Sequence, residues 1–201
     1  MPEILLASNN RGKLKEIQAL VRGAAFTLVT PEMLGIQLDV PEDGATYAEN
    51  AALKALAYAR ASQMVTLADD SGLEVDCLAG EPGLHSARYA PLPGATDADR
   101  RAYLLNKLAG QPRPWTARFR CTVALGMPDG QVHFAQGVCE GEIIPQERGH
   151  NGFGYDPIFL LPSLGRTMAE LSMKQKNRLS HRARAVRAAL PDIYHLLGIA
   201  P

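Results

Sequence analysis

Residues 4–21 read ILLASNNRGKLKEIQALV. Ile4 to Ala7 form a short continuous apolar run, the pattern of a strand buried on both faces. Ser8-Asn9-Asn10-Arg11-Gly12 is a polar turn. Beyond it, Leu14, Ile17, Leu20 and Val21 recur at the spacing of one helical face. A strand, a tight loop and a helix in that order begin an α/β fold.

The chain continues in the same manner. Thr46 and Glu49 fit a capping box, which predicts a helix from about Tyr47 to Ala61, with Pro41 to Ala45 as loop before it and a strand from Met64 to Ala68 after it. Pro82, Gly83, Pro91, Pro93 and Gly94 punctuate an irregular stretch that ends where Thr96 caps a helix through about Lys107. Then the period changes. Ala117, Phe119, Cys121, Val123 and Leu125 alternate with Arg118, Arg120, Thr122 and Ala124, which predicts a half-buried strand. Asp129-Gly130 is a hairpin turn into a second strand, Gln131 to Ala135, and a third covers Gly137 to Ile144, all antiparallel neighbours. Thr167 to Glu170 cap a short helix. Ser180 caps a longer one carrying Ala185, Val186, Ala189 and Leu190, which Pro191 kinks or ends. With no internal repeat and no linker, the chain reads as a single α/β domain over residues 1–201 with a mixed sheet.

Bulk properties narrow the function. At 201 residues and 46% hydrophobic, the composition is that of an ordinary globular domain. Twenty-one basic and 21 acidic residues cancel, so no overall field draws the chain to nucleic acid or to an anionic membrane, and an anionic ligand needs a local cluster. Cys77, Cys121 and Cys139 fit neither a disulfide framework nor a zinc site, which points to a reducing, cytoplasmic home. The first residues lack the basic region and long apolar core of a secretory signal, and no run reaches the length of a membrane helix.

Five segments carry chemistry. In Ser8 to Lys13, the amides of a tight turn and a helix N-terminus can hold phosphate while Lys13 adds charge. Leu14 follows that lysine where a P-loop needs a hydroxyl for magnesium, so a metal has to be held elsewhere. In Asp69-Asp70-Ser71-Gly72, two adjacent carboxylates close an apolar strand, where α/β proteins build ligand sites; alternation sends only one of them fully into a given cleft. Glu42 and Asp43 precede the Thr46-capped helix, whose Asn50 and Lys54 share one face. One or two such carboxylates suffice for magnesium, which keeps water and substrate phosphate in its shell. In Gly149 to Pro157, Phe153 is bracketed by glycines, and a purine offers its ring a flat face worth about 1–3 kcal/mol in stacking. Finally, His181 and Arg182 lie in the first turn of a helix, where its dipole disfavours cations unless an anion or an acceptor-rich ligand compensates. Each segment alone also reads blandly, as a turn, a strand end, a glycine-rich hairpin or a solvated basic run.

Taken together, Ser8-x-Asn10-x-Gly12-Lys13, the Glu42 to Lys54 segment, Asp69-Asp70-Ser71-Gly72-Leu73, Gly152-Phe153-Gly154-Tyr155-Asp156-Pro157 and Ser180-His181-Arg182 resemble the inosine triphosphate pyrophosphatase family in order and spacing, across essentially the whole chain. The resemblance implies an elongated mixed sheet flanked by helices, two lobes with the active site in the cleft between them, and a homodimer. It implies cleavage of ITP, dITP and XTP between the α and β phosphates, clearing deaminated purines from the nucleotide pool. Asp70 matches the catalytic acid, which binds Mg2+ and accepts the proton of the attacking water, and Glu42 matches the second metal carboxylate. Ser8, Asn9, Asn10, Arg11, Gly12, Lys13, Lys54, Ser71 and Lys176 match substrate contacts. Phe153, Gly154, Tyr155 and Asp156 match the base loop, and His181 and Arg182 the pair that donates to the purine O6. Asp69 is an auxiliary acid that tunes or assists Asp70. One local departure is Lys174-Gln175, where the family commonly carries acids.

Two other readings compete. A Maf-like pyrophosphatase acting on pyrimidine or methylated nucleotides shares the broad architecture, but the Gly152 to Asp156 and Ser180 to Arg182 motifs argue against it. A purine-holding module without hydrolysis has little use for the acids Glu42 and Asp70 beside bound phosphate.

Overall fold

The computed structural model describes residues 1–200. Twelve elements follow one another: β1 (Glu3–Leu6), α1 (Arg11–Leu20), β2 (Thr27–Val29), α2 (Tyr47–Ser62), β3 (Thr66–Val75), α3 (Asp97–Leu108), β4 (Trp115–Gly126), β5 (Val132–Ile143), β6 (Phe159–Leu161), β7 (Arg166–Thr167), α4 (Met173–Leu179) and α5 (His181–Leu197). The strands form a seven-stranded sheet in the order β2-β1-β3-β4-β5-β6-β7. β1 is parallel to both β2 and β3, whereas β6 is antiparallel to β5 and to β7. The expected mixed α/β sheet is therefore present. No helix among the described residues is long and apolar enough to cross a membrane.

The chain divides into two compact units, the first made of residues 1–70, 121–137 and 182–201, the second of 71–120 and 138–181. In the first unit, period-2 alternation sorts side chains onto two faces. Ile4, Leu6, Leu67, Cys121, Val123 and Leu125 pack with Ile17 of α1 and with Ala185, Val186, Ala189 and Ile193 of α5. Leu5, Ala7, Ala68 and Ala124 pack with Ala51, Ala55 and Tyr58 of α2. Small residues let α2 approach closely: a Cβ on Gly126 would stand 2.7 Å from the Ala55 backbone. The second unit has its own core, in which Leu73, Leu104, Leu108, Trp115, Phe119, Tyr155, Phe159 and Met168 meet.

Several elements depart from the sequence expectations, each for a physical reason. β3 does not stop at Ala68 but runs on to Val75, so Asp69 and Asp70 are interior strand residues rather than a strand end. Asp, Ser and Gly normally signal a turn; here Asp69 Oδ2 is ion-paired with Lys13 and Arg182, and Asp70 Oδ2 accepts from Asn50, within the strand. The two strands expected over 131–144 are one, β5, because Gly137 is a weak point in a strand and not a stop. The basic run before Ser180 is helical: Ser172 and Gln175 form a reciprocal capping box that starts α4. Gln175 thereby fills a position where Gln serves as well as Glu. Pro191 does not end α5, which continues to Leu197 while Ala189 and Ile193 stay buried on either side of it. β2, β6 and β7 are too short to show a period. Thr46 accepts the Glu49 N–H at 3.1 Å as expected, but the Glu49 carboxylate takes the N–H of Ala45 instead of that of Thr46.

Gly141 in β5 marks the tightest strand contact of the second unit. A Cβ there would meet the Leu160 carbonyl oxygen and the Phe159 ring. Gly141→Ala should therefore cost about 1–3 kcal/mol through overpacking, read as a lower urea midpoint with an unchanged slope.

Candidate active site

The first unit gathers charge around β3. Because Asp69 and Asp70 are consecutive in a strand, they face opposite ways. Asp69 shares its face with Leu67 and meets α5 and α1; Asp70 shares its face with Ala68 and meets α2.

Asp69 is fully enclosed. Its Oδ2 accepts from Arg182 Nε at 3.1 Å and lies 3.1 Å from Lys13 Nζ, while the Cys121 thiol approaches to 3.8 Å. Burial alone would push this carboxyl up, but the charges of Lys13, Arg182 and Lys54 outweigh burial and hold it well below the usual carboxylate range. The same burial and the neighbouring Asp69 charge push the Cys121 thiol up to about 12, so it stays protonated. Arg182 is also paired with Glu16, Nη1 to Oε2 at 2.5 Å. The Asp69 carbonyl oxygen takes Lys54 Nζ at 2.8 Å and Lys13 Nζ at 3.4 Å.

Asp70 has a different environment. Its Oδ2 accepts from Asn50 Nδ2 at 3.1 Å. Burial raises its carboxyl above the ordinary value, Lys54, Lys13 and the Asn50 hydrogen bond oppose that rise, and the charge of Glu42 adds to it. Glu42 Oε1 sits 3.2 Å from Lys54 Nζ. Asp69 is crowded by cations, whereas Asp70 is a buried acid within electrostatic reach of a second one. A divalent cation would relieve both the burial and the repulsion. The donors are hard carboxylate oxygens, which suits Mg2+. No cluster of three or more metal-binding side chains occurs among the described residues, so substrate phosphate and water would complete the shell, as is usual for Mg2+.

The phosphate turn is more occupied than the sequence suggests. Asn10 caps α1, its Oδ1 accepting the N–H groups of Gly12 at 2.9 Å and Lys13 at 3.1 Å, and Ser8 Oγ accepts from the Asn10 N–H at 3.3 Å. A phosphate here would meet those amides in competition with the cap. Asn9 and Arg11 are exposed, and Ser8, Gly12 and Lys13 partly so.

The second unit holds the remaining residues. Ser71 follows Asp70 in β3 and is half-buried. Asp156 is buried; its Oδ2 accepts the Phe153 N–H at 2.9 Å and pairs with Lys176 Nζ, which also lies 5.2 Å from the Phe153 ring centroid. Gly152 is at φ +78°, and any Cβ there would collide with Asp156 Oδ2. The Tyr155 hydroxyl, its acidity suppressed by burial, donates to the Ser86 carbonyl at 2.8 Å. His181 stacks on Phe119 with centroids 4.7 Å apart and planes 15° from parallel.

The expected His181 and Arg182 pair is therefore split. Consecutive helix residues point about 100° apart, and here the imidazole lies against Phe119 while the guanidinium is engaged by Asp69 and Glu16. Lys176, expected at phosphate, is paired with Asp156 beside the Phe153 ring. Glu16 and Phe119 are the contacts that sequence reading missed, and Asn50, read only as sharing a face with Lys54, is the residue that holds Asp70. Glu16 left one trace, an acid four residues before Leu20 at the edge of the apolar stripe of α1.

The Ham1 family model matches residues 4–192, and the chain belongs to that family. It is 46% identical over 195 residues to a dITP/XTP pyrophosphatase of Desulforamulus reducens, covering 96% of each chain. It is 44% identical to the dITP/XTP pyrophosphatase of Thermus thermophilus, covering 94% of this chain and 90% of that one. A HAM1 protein structure from Coxiella burnetii superposes with a TM-score of 0.86 at 41% identity, covering 97% of this chain and 100% of that one.

The two adjacent acids should respond oppositely to neutralisation in metal-free protein at neutral pH. Asp69→Asn leaves Arg182 and Lys13 facing a neutral amide and should cost about 3–5 kcal/mol. Asp70→Asn removes a charge that burial disfavours and should leave the protein as stable or more so. The depressed Asp69 carboxyl stabilises the fold above its unfolded value of about 3.9, and that contribution is lost as pH falls below it. The raised Asp70 carboxyl contributes in acid and loses that contribution as pH rises through its folded value, so the gain from Asp70→Asn should vanish in acid. Urea unfolding across pH checks both signs.

Proposed function

We propose that the protein hydrolyses non-standard purine nucleoside triphosphates, namely ITP, dITP, XTP and dXTP, to the monophosphate and pyrophosphate, and so keeps deaminated purines out of nucleic acids. The observation that carries the chemistry is Asp70: a buried, raised carboxyl held by Asn50, with Glu42 and Lys54 beside it. Full-length kinship with proteins named dITP/XTP pyrophosphatases supports the substrate class.

In this reading, Glu42 and Asp70 hold Mg2+, which when bound offsets charge on the phosphate oxygens. Asn50 fixes one Asp70 oxygen and so orients the other toward the attacking water. Asp70 accepts the proton of that water. The new bond forms at the α-phosphorus, the α–β bridge breaks, and pyrophosphate leaves with the bridging oxygen. Lys13 and Lys54, already anchored to the Asp69 carbonyl, face the triphosphate and steady the charge that develops. Ser8 to Gly12 and Ser71 line the phosphate path.

The base is recognised by the second unit's groups. Phe153 supplies a stacking face, and Asp156 with Lys176 offers an acceptor and a donor beside it. His181 donates to O6; adenine carries an amino donor at that position, and leaving the histidine donor unpaired costs about 1–3 kcal/mol. Arg182, the other member of that pair, is held in place by Asp69 and Glu16 and in this reading donates to the base beside His181. Residues 1–201 work as one functional domain, and the protein is a cytoplasmic homodimer, consistent with three free cysteines and with the resemblance that implies dimers.

With Mg2+, purified protein should release pyrophosphate from dITP and XTP far faster than from dATP, dGTP or pyrimidine triphosphates, and Asp70→Asn should abolish turnover while nucleotide still binds. Equal rates on all these substrates would overturn the substrate class; full activity of Asp70→Asn would overturn the mechanism.

A further inference from the structure

The Phe153 ring stands on a loop that does little to fix itself. Gly152 and Gly154 flank it at φ +78° and +61°, where glycine gains its place through conformational freedom and loses rigidity by it. Within the loop, Asp156 accepts the Phe153 N–H at 2.9 Å and returns its own N–H to the Phe153 carbonyl at 3.2 Å.

Asn151 ties the start of the loop to the Ala169 and Leu171 carbonyls and Tyr155 its end to the Ser86 carbonyl; Gly154 itself is held from α3, far away in sequence. Asp97 Oδ2 accepts the Gly154 N–H at 2.7 Å, and Arg101 Nη1 donates to the Gly154 carbonyl at 2.9 Å. Both peptide groups that meet at the Gly154 Cα are held from one helix face, because Asp97 and Arg101 are one turn apart. Each gripping side chain is itself fixed by its unused atoms. Arg100 Nη2 takes Asp97 Oδ1 at 2.5 Å, leaving Oδ2 for the loop. Glu147 takes Arg101 in a two-pronged pair, Nε to Oε1 at 2.7 Å and Nη2 to Oε2 at 3.0 Å, leaving Nη1 for the loop. The Thr96–Asp99 capping box secures the turn from which Asp97 projects. The Arg101 side chain is 12% exposed, whereas those of Glu147 and Asp97 are 46% and 39% exposed, so the guanidinium is shielded while its carboxylate partners lie at the surface.

We infer that Asp97 and Arg101 are positioning residues that set the Phe153 ring for the purine base, and so govern how tightly the base is held rather than the phosphate chemistry. The inference rests on the reading of Phe153 as the stacking surface. Losing either side chain frees one peptide group beside a glycine, and the ring then samples orientations that do not stack.

The test uses Asp97→Ala, Arg101→Met and Asp97→Asn in the full chain with Mg2+. The first two should raise KM for dITP about tenfold, the scale of one lost charge-assisted hydrogen bond, with kcat little changed. Inhibition by pyrophosphate, which has no base, should stay as in the wild type. Asp97→Asn keeps an acceptor for the Gly154 N–H and should recover most of the loss. Amide hydrogen exchange of the peptide spanning 150–157 should quicken in the two disruptive variants. If Asp97→Ala does not fold, Arg101→Met carries the same test away from the helix cap. A KM that stays at the wild-type value, or a pyrophosphate affinity that falls in parallel with that for dITP, overturns the inference. Unchanged exchange in 150–157 defeats the grip itself, whereas a wild type inert toward dITP defeats the reading of the site and with it the base role.

Discussion

Two neighbouring residues of a strand must face opposite ways, and in β3 those residues are both aspartates. That geometric constraint divides the labour. The side chain on one face is enclosed by Arg182, Lys13 and the Cys121 thiol, and it stays ionised because two cations face it at hydrogen-bond distance. The side chain on the other face is buried with fewer compensating charges and a second acid nearby, so its affinity for protons rises. Without Asp69, Arg182 and Lys13 would lose the carboxylate they share. Without the alternation, both carboxylates would compete for the same cations.

The buried ion cluster also explains why two cations occur in and near the first turns of helices α1 and α5. A helix N-terminus disfavours positive charge. Lys13 and Arg182 are nevertheless both drawn to a single carboxylate, whose Coulombic attraction at about 3 Å in a low-dielectric surrounding exceeds a dipole penalty of about 0.3–1 kcal/mol. Such a cluster is weak evidence for stability in itself, since desolvation offsets much of the attraction. Its effect is to fix where each cation lies.

Much of the fold was legible because it rests on periodicities. The apolar run at Ile4, the stripe on α1, the cap at Thr46 and the alternation from Ala117 each gave an element of the right type in the right place. The extension of β3 through Asp69 to Val75 was not legible, since Asp, Ser and Gly favour turns and it is pairing within the sheet, with ion pairs and hydrogen bonds from distant residues, that keeps them in a strand. β6 and β7 were hidden by their brevity, and α4 by its charge. Within the site, the residue types pointed to phosphate, metal and base chemistry, and Asp70, Glu42, Lys13 and Lys54 do lie together. What a linear sequence could not show was partnership over long separations. Arg182 is engaged by Glu16 across 166 positions, and that pairing separates its side chain from that of His181. Gly154 is likewise held from α3 across 57 positions, which no local motif announces.

Lys13 and Lys54 both reach the carbonyl oxygen of Asp69. A long lysine side chain carries about 2 kcal/mol of rotamer entropy, and immobilising two of them at the moment of binding would weaken the grip on a triphosphate. Here that ordering is completed as the chain folds. An arriving anion meets ammonium groups already in place, so its association should be limited by diffusion and by shedding of water rather than by rearrangement of the protein. The strand that carries Asp70 thus also fixes the two ammonium groups beside it.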